Sequence, residues 1–212
     1  VNTGETIDII HRAFELGINL IDTAVGYCNQ ESEITVGKAL KGWRDKILVS
    51  TKNPYKGNDP REWRALLDQS LSRLDIKYID IYNFHSLKLE EFQGWKMMDH
   101  SPLDEMKKAK EEGLIKHIGF SCHDTPANMI KLLDTGFFES MILQYNILNT
   151  ADEKGMAHAK AKGIGIIVMG PIGGGRLAAP SETIMDMAGK SVSSTAEIAL
   201  RFVLSNPNVS AA

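Results

Sequence analysis

Residues 3–22 read TGETIDIIHRAFELGINLID, and this stretch decides the fold. Over residues 3–16, Ile7, Ile10 and Phe14 recur at helical spacing, and Asn2 and Glu5 stand at the spacing of a capping box. Gly17 follows, a residue without Cβ where the backbone turns left-handed past a helix end. The run 18–21 is short and mostly apolar, and Asp22 closes it. Helix, glycine, buried strand and a reactive residue at the strand's end therefore follow one another within twenty residues.

The unit recurs along the chain. Gly42, Gly113, Gly136 and Gly163 each lead into apolar runs at 47–49, 114–120, 141–143 and 164–169, and Leu74-Asp75 takes the glycine's place before the run 78–82. Near-continuous apolar runs are how parallel strands buried on both faces read. Helical patterns lie between them: Asp59-Pro60 is an N-cap with proline at the first helical position, and Trp63, Leu66, Leu67 and Leu71 form its stripe. Further helices are predicted over 104–112, 125–134, 152–162 and 194–204. Segment 86–103 is predicted to be an irregular surface insertion whose Phe92, Trp95, Met97 and Met98 supply apolar bulk.

Alternating strand and helix specify an α/β protein with a parallel sheet. An open nucleotide-binding sheet would carry G-x-G-x-x-G after its first strand, and none is present. Reactive residues instead close strand after strand, near Asp22, Lys52, His85, Ser121, Gln144 and Met169, which is how a (β/α)8 TIM barrel gathers its site. Such a barrel needs eight strands and typically about 250 residues. The 212 residues, opening on Val and a helix and stopping at Asn208-Val209-Ser210, are thus expected to form a single barrel domain, 1–212, incomplete at both termini.

Composition narrows the function classes. With 43% hydrophobic residues, a formal net charge of −3 and no run of ~18 apolar residues, the chain has neither a disordered profile nor a membrane span. A basic nucleic-acid footprint is absent. Two cysteines, Cys28 and Cys122, build no disulfide framework, which favours a reducing, cytoplasmic setting. No His/Cys spacing recommends a metal, and Cys28 reads as a small buried thiol.

Asp22, Tyr27, Lys52 and His85 stand at or just past three successive strand ends. Singly, each has a bland structural reading: helix cap, packing residue, solvated lysine, core histidine. Together they suit proton delivery to a carbonyl oxygen. A tyrosine is a weak acid at neutral pH; a neighbouring ammonium stabilises the phenolate and assists release. A buried lysine needs a carboxylate to remain charged, and a neutral imidazole orients the substrate oxygen.

These motifs resemble a known family. Asp22-Thr23-Ala24-x-x-Tyr27, then Glu31-Ser32-Glu33, Val36-Gly37-Lys38-Ala39-Leu40, Ser50-Thr51-Lys52 and Tyr82-Asn83-Phe84-His85 are similar, in order, to the aldo-keto reductase signature. The resemblance implies a barrel of NAD(P)H-dependent carbonyl reductases, with Tyr27 as general acid, Lys52 and Asp22 tuning it and His85 orienting the substrate. It also implies NADP (or NAD) as cofactor and a small carbonyl compound as substrate; charge and hydropathy leave no expectation of a nucleic-acid or membrane partner. Ser121 and Gln144 match the positions that hold the nicotinamide carboxamide. Met169 stands where many members stack an aromatic ring, and Cys122 where many have asparagine. Gly170-Pro171-Ile172-Gly173-Gly174-Gly175-Arg176 resembles the pyrophosphate loop, where glycines admit backbone N–H groups to phosphate. The other function compatible with the pattern is a catalytically idle, cofactor-sensing module of the same fold.

Overall fold

The computed structural model describes residues 3–188 and 192–212, which fall into two compact units, Val1–Ser121 and Cys122–Ala212. The expected capping box at Asn2 lies outside the described residues.

In the first unit, α1 (Thr3–Glu15), β1 (Leu20–Asp22), α2 (Ser32–Ala39), β2 (Leu48–Asn53), α3 (Pro60–Leu74), β3 (Ile79–Phe84), α4 (Leu89–Lys96), α5 (Pro102–Glu111) and β4 (Ile115–Ser121) follow in order. The four strands pair in parallel in chain order; Asp22 lies opposite Ser50, Lys52 opposite Asn83, and Asn83 opposite Gly119. Local chemistry sets the boundaries. Pro60 opens α3 behind Asp59, whose carboxylate accepts the Arg61 N–H, and Asp75 closes it left-handed at φ 53° where the other units use glycine.

Strand side chains alternate between two faces. On the helix-covered face Tyr82 and Phe84 meet Trp63 at centroid distances of 5.7 and 5.9 Å, and Phe84 meets Trp95 at 5.2 Å. Asn53 and Thr51 also serve this face, Asn53 donating to the Trp63 carbonyl and Thr51 to the fully buried Glu33 carboxylate. The opposite face of β1–β3 therefore carries Asp22, Ser50, Lys52 and Asn83, with His85 next in the alternation.

Segment 86–103, expected to be irregular, holds α4. Leu89, Phe92 and Trp95 sit at helical spacing and are buried, Glu91 caps the Lys88 N–H, and the Trp95 indole donates to the Gly57 carbonyl. Phe92 and Trp95 are thus core; Met97, 88% exposed, is the bulk left at the surface.

The second unit runs α6 (Pro126–Leu133), β5 (Ser140–Gln144), α7 (Glu153–Ala161), β6 (Gly165–Met169), α8 (Glu182–Ala188) and α9 (Thr195–Ser205). β5 and β6 pair in parallel, with Gln144 opposite Met169. Beyond α9 a further parallel ladder begins: Ser210 N–H donates to the Ile166 carbonyl, Val168 N–H to that of Ala211, and Ile167 bridges Ala211. No described helix is long and apolar enough to cross a membrane.

Candidate active site

Lys52 is the most deeply buried of Asp22, Tyr27, Lys52 and His85. It ends an inward-facing pair on β2 with Ser50, and only 1% of its side chain is exposed. An ammonium that deeply buried persists only where partners replace water. Lys52 Nζ pairs with the Asp22 carboxylate, donates to the Thr23 carbonyl at 2.7 Å, and lies 5.0 Å from the centre of the Tyr27 ring. The second Asp22 oxygen accepts the Ser50 hydroxyl at 2.7 Å, so both carboxylate oxygens are engaged.

Tyr27 is carried by the loop after β1. Its N–H donates to the Ala24 carbonyl and its own carbonyl accepts the Ser32 N–H, so the loop folds back on the start of α2. The return requires three consecutive left-handed residues, Cys28, Asn29 and Gln30, with φ of 53°, 54° and 70°. Each such non-glycine residue costs on the order of 1–3 kcal/mol, and strain of this kind concentrates at functional sites. The turn leaves Tyr27 40% exposed and puts Cys28 outside as well, contrary to the buried thiol expected from sequence.

His85 follows β3, its N–H donating to the Asn53 carbonyl at 3.0 Å. Its ring meets that of Tyr27 edge to face, with centroids 6.0 Å apart and planes at 82°. Asp22, Tyr27, Lys52 and His85 are thus brought together. The chain then turns left-handed at Ser86 (φ 51°), whose N–H donates to Ser121 Oγ at 2.7 Å, while Leu87 N–H donates to the Ser121 carbonyl. Ser121, expected to hold a carboxamide, is buried and also pins the backbone after His85.

In the second unit, Gln144 is partly exposed at the end of β5 beside Met169. Buried Asn146 serves backbone, donating to the Gly170 carbonyl at 2.9 Å and accepting the Leu148 N–H. The loop 170–177 turns left-handed at Gly170, Gly173, Gly174 and Gly175. A Cβ at Gly174 or Gly175 would meet nothing within 4 Å, so the backbone there lies open, and exposed Arg176 is held to the Gly173 carbonyl through Nε. Exposed glycines beside a guanidinium suit a phosphate, and the Gln144 amide offers both donor and acceptor to a carboxamide. The donor set therefore fits a nicotinamide dinucleotide. Cys122 is buried, and burial pushes its thiol up to about 11.

Two polar residues at the heart of the site, Ser50 and Asn83, stand inside the quoted motifs, but the sequence assigned neither a role. Period-two alternation was the available signal: it places Ser50 beside Lys52 and Asn83 beside His85.

The Aldo/keto reductase family profile matches residues 1–212. The chain belongs to the aldo/keto reductase family. Among relatives, it is 31% identical over 210 residues to an uncharacterised oxidoreductase of Schizosaccharomyces pombe, covering 93% of this chain and 65% of that protein. It is 32% identical over 195 residues to the NADH-specific methylglyoxal reductase of Escherichia coli, covering 81% and 57%. The chain thus spans less than two thirds of these relatives' length. Among solved structures, the holo form of a Bacillus halodurans aldo-keto reductase superposes with a TM-score of 0.84 at 25% identity, over 99% of this chain and 76% of that one. A Klebsiella pneumoniae aldo/keto reductase in complex with NADP and acetate gives 0.81 at 25% identity, over 99% and 74%. The repeated strand–helix units are those of the family's (β/α)8 barrel, with six strands among the described residues, so the barrel is incomplete.

Proposed function

We propose that the chain is the catalytic part of an NAD(P)H-dependent carbonyl reductase in which Tyr27 delivers a proton to the substrate oxygen. The observation that carries this reading is a lysine with 1% exposure, bound to Asp22 and set 5.0 Å from the ring of a tyrosine that remains open to solvent.

The geometry supports the following division of work. Asp22 and the Thr23 carbonyl hold the Lys52 ammonium in place. The Tyr27 hydroxyl donates to the carbonyl oxygen as negative charge develops there, and the ammonium stabilises the phenolate left behind. The His85 ring, packed on Tyr27, directs the same oxygen. A bound nicotinamide would supply the hydride to the carbonyl carbon. On the second unit, Gln144 and Met169 would hold its carboxamide and ring, and Gly170, Pro171, Gly173, Gly174, Gly175 and Arg176 its pyrophosphate. NADP is the expected form, with NAD as the variant to compare. The relative named for methylglyoxal reduction makes small aldehydes the first substrates to try.

The test is turnover by Tyr27→Phe. Loss of the acid lowers kcat by about 10²–10⁴-fold, the usual share of general acid catalysis, with nucleotide binding retained. Equal loss of binding and turnover would count against Tyr27 as the acid.

A further inference from the structure

Behind the Asp22–Lys52 pair lies a second pair of polar side chains, Ser50 and Asn83, both fully buried. Asn83 Nδ2 donates to Ser50 Oγ and to the Thr51 carbonyl, each at 3.0 Å. The Thr51 carbonyl can only accept, so the amide must turn its NH2 toward it. That same NH2 reaches Ser50 Oγ, which therefore accepts and sends its one proton to Asp22 Oδ1 at 2.7 Å. The remaining Asp22 oxygen takes Lys52. Every proton in the series Asn83, Ser50, Asp22, Lys52 has one direction.

The arrangement carries a penalty. Asn83 Oδ1 is buried with no partner among the described residues. An apolar side chain of similar shape would spare the fold this unpaired acceptor but would take the amide's hydrogen bonds from Ser50 Oγ and the Thr51 carbonyl. Asparagine at this place leaves one acceptor unpaired and uses its donor to orient Ser50.

We propose that Ser50 and Asn83 are positioning residues that fix the Asp22 carboxylate, and through it the Lys52 ammonium, against Tyr27. Neither touches substrate or cofactor; both act through Asp22. The inference rests on the reductase reading for its effect on turnover, and on geometry alone for its effect on Lys52.

The experiment uses Ser50→Ala, Ser50→Thr, Asn83→Leu and the Ser50→Ala/Asn83→Leu pair in the 212-residue chain, with two readouts. The first is steady-state reduction of a small aldehyde. The second is the 1H–15N signal of the Lys52 ammonium, assigned by its loss in Lys52→Met, which reports how firmly that group is held whether or not substrate turns over. Ser50→Ala lowers kcat about tenfold, the scale of one hydrogen bond to a charged group, with little change in KM, and broadens the Lys52 signal. Ser50→Thr, which keeps the hydroxyl, restores both. Asn83→Leu, assayed at a temperature where it is folded, loses turnover and broadens the Lys52 signal, which a merely structural residue would not do. The pair loses no more than Ser50→Ala alone, because both act on one relay. Parent-like kcat and an unaltered Lys52 signal in Ser50→Ala and Asn83→Leu would overturn the proposal. If the parent reduces nothing but its Lys52 signal broadens in Ser50→Ala, the relay stands and the reductase reading is what fails.

Discussion

A lysine with 1% of its surface exposed keeps its place only through its partners, and here the partners were partly legible from sequence. Asp22, Tyr27, Lys52 and His85 announce themselves because each closes a strand or opens the loop beyond it. Ser50 and Asn83 do not, since a serine and an asparagine within apolar runs look like ordinary strand residues until the alternation is laid beside the register. Cys28 was misread for a related reason: three left-handed residues in a row, none of them glycine, leave no sequence mark. The two cysteines accordingly differ. Cys122 is buried, and burial raises its thiol to about 11, so at pH 8 it stays protonated and shielded. Cys28 is exposed. An aromatic disulfide reagent at pH 8 should release one equivalent of thiolate rapidly and the second only on denaturation. Two rapid equivalents would place Cys122 at the surface.

The helices missed from sequence are the short ones. α2 and α4 have eight residues each and an internal glycine, so neither presents a long periodic stripe. Their glycines have opposite meanings. A Cβ at Gly37 would stand 2.6 Å from the Leu74 carbonyl oxygen and 2.8 Å from that of Arg73, because α2 crosses the end of α3 at backbone contact. Gly37→Ala should lower stability by about 1–3 kcal/mol, as overpacking does. At Gly94 a Cβ would meet nothing within 4 Å, and Gly94→Ala in α4 should gain about 0.5–1 kcal/mol. Urea midpoints moving in the same direction for both would refute this account of the helix contact. At the start of α9, Glu197 accepts from Ser193 N–H and Oγ and from Arg201, which together hold its carboxyl down to about 2. A folded value below the unfolded one means that this support is complete above the ordinary carboxylate range and is lost as pH falls through about 2. Amide exchange in α9 should therefore accelerate between pH 4 and 2 beyond the intrinsic trend, and Glu197→Gln should remove that excess.

At the scale of the whole molecule, the barrel class was readable because its repeat is local: a helix, a left-handed residue, a buried parallel strand. The ladder that begins at Ser210 and Ala211 continues the repeat past β6, in keeping with the turn toward a further strand read at Asn208-Val209-Ser210. Less legible were the two compact units, since no composition shift marks the step from Ser121 to Cys122. Nor does the Gly-rich loop alone distinguish a phosphate cradle from a flexible turn; in the structure its backbone is open at Gly174 and Gly175. On the proposed function, these residues bind a reduced nicotinamide nucleotide and use it. The most direct measurement is a fluorescence titration of the folded 212-residue chain with NADPH and NADH, followed by addition of a small aldehyde, with Tyr27→Phe run in parallel. Saturable binding by both proteins and oxidation of the nucleotide by the parent alone is the predicted result. Saturable binding without oxidation by either would point to the idle, cofactor-sensing module, and a folded chain that binds neither nucleotide would contradict the account.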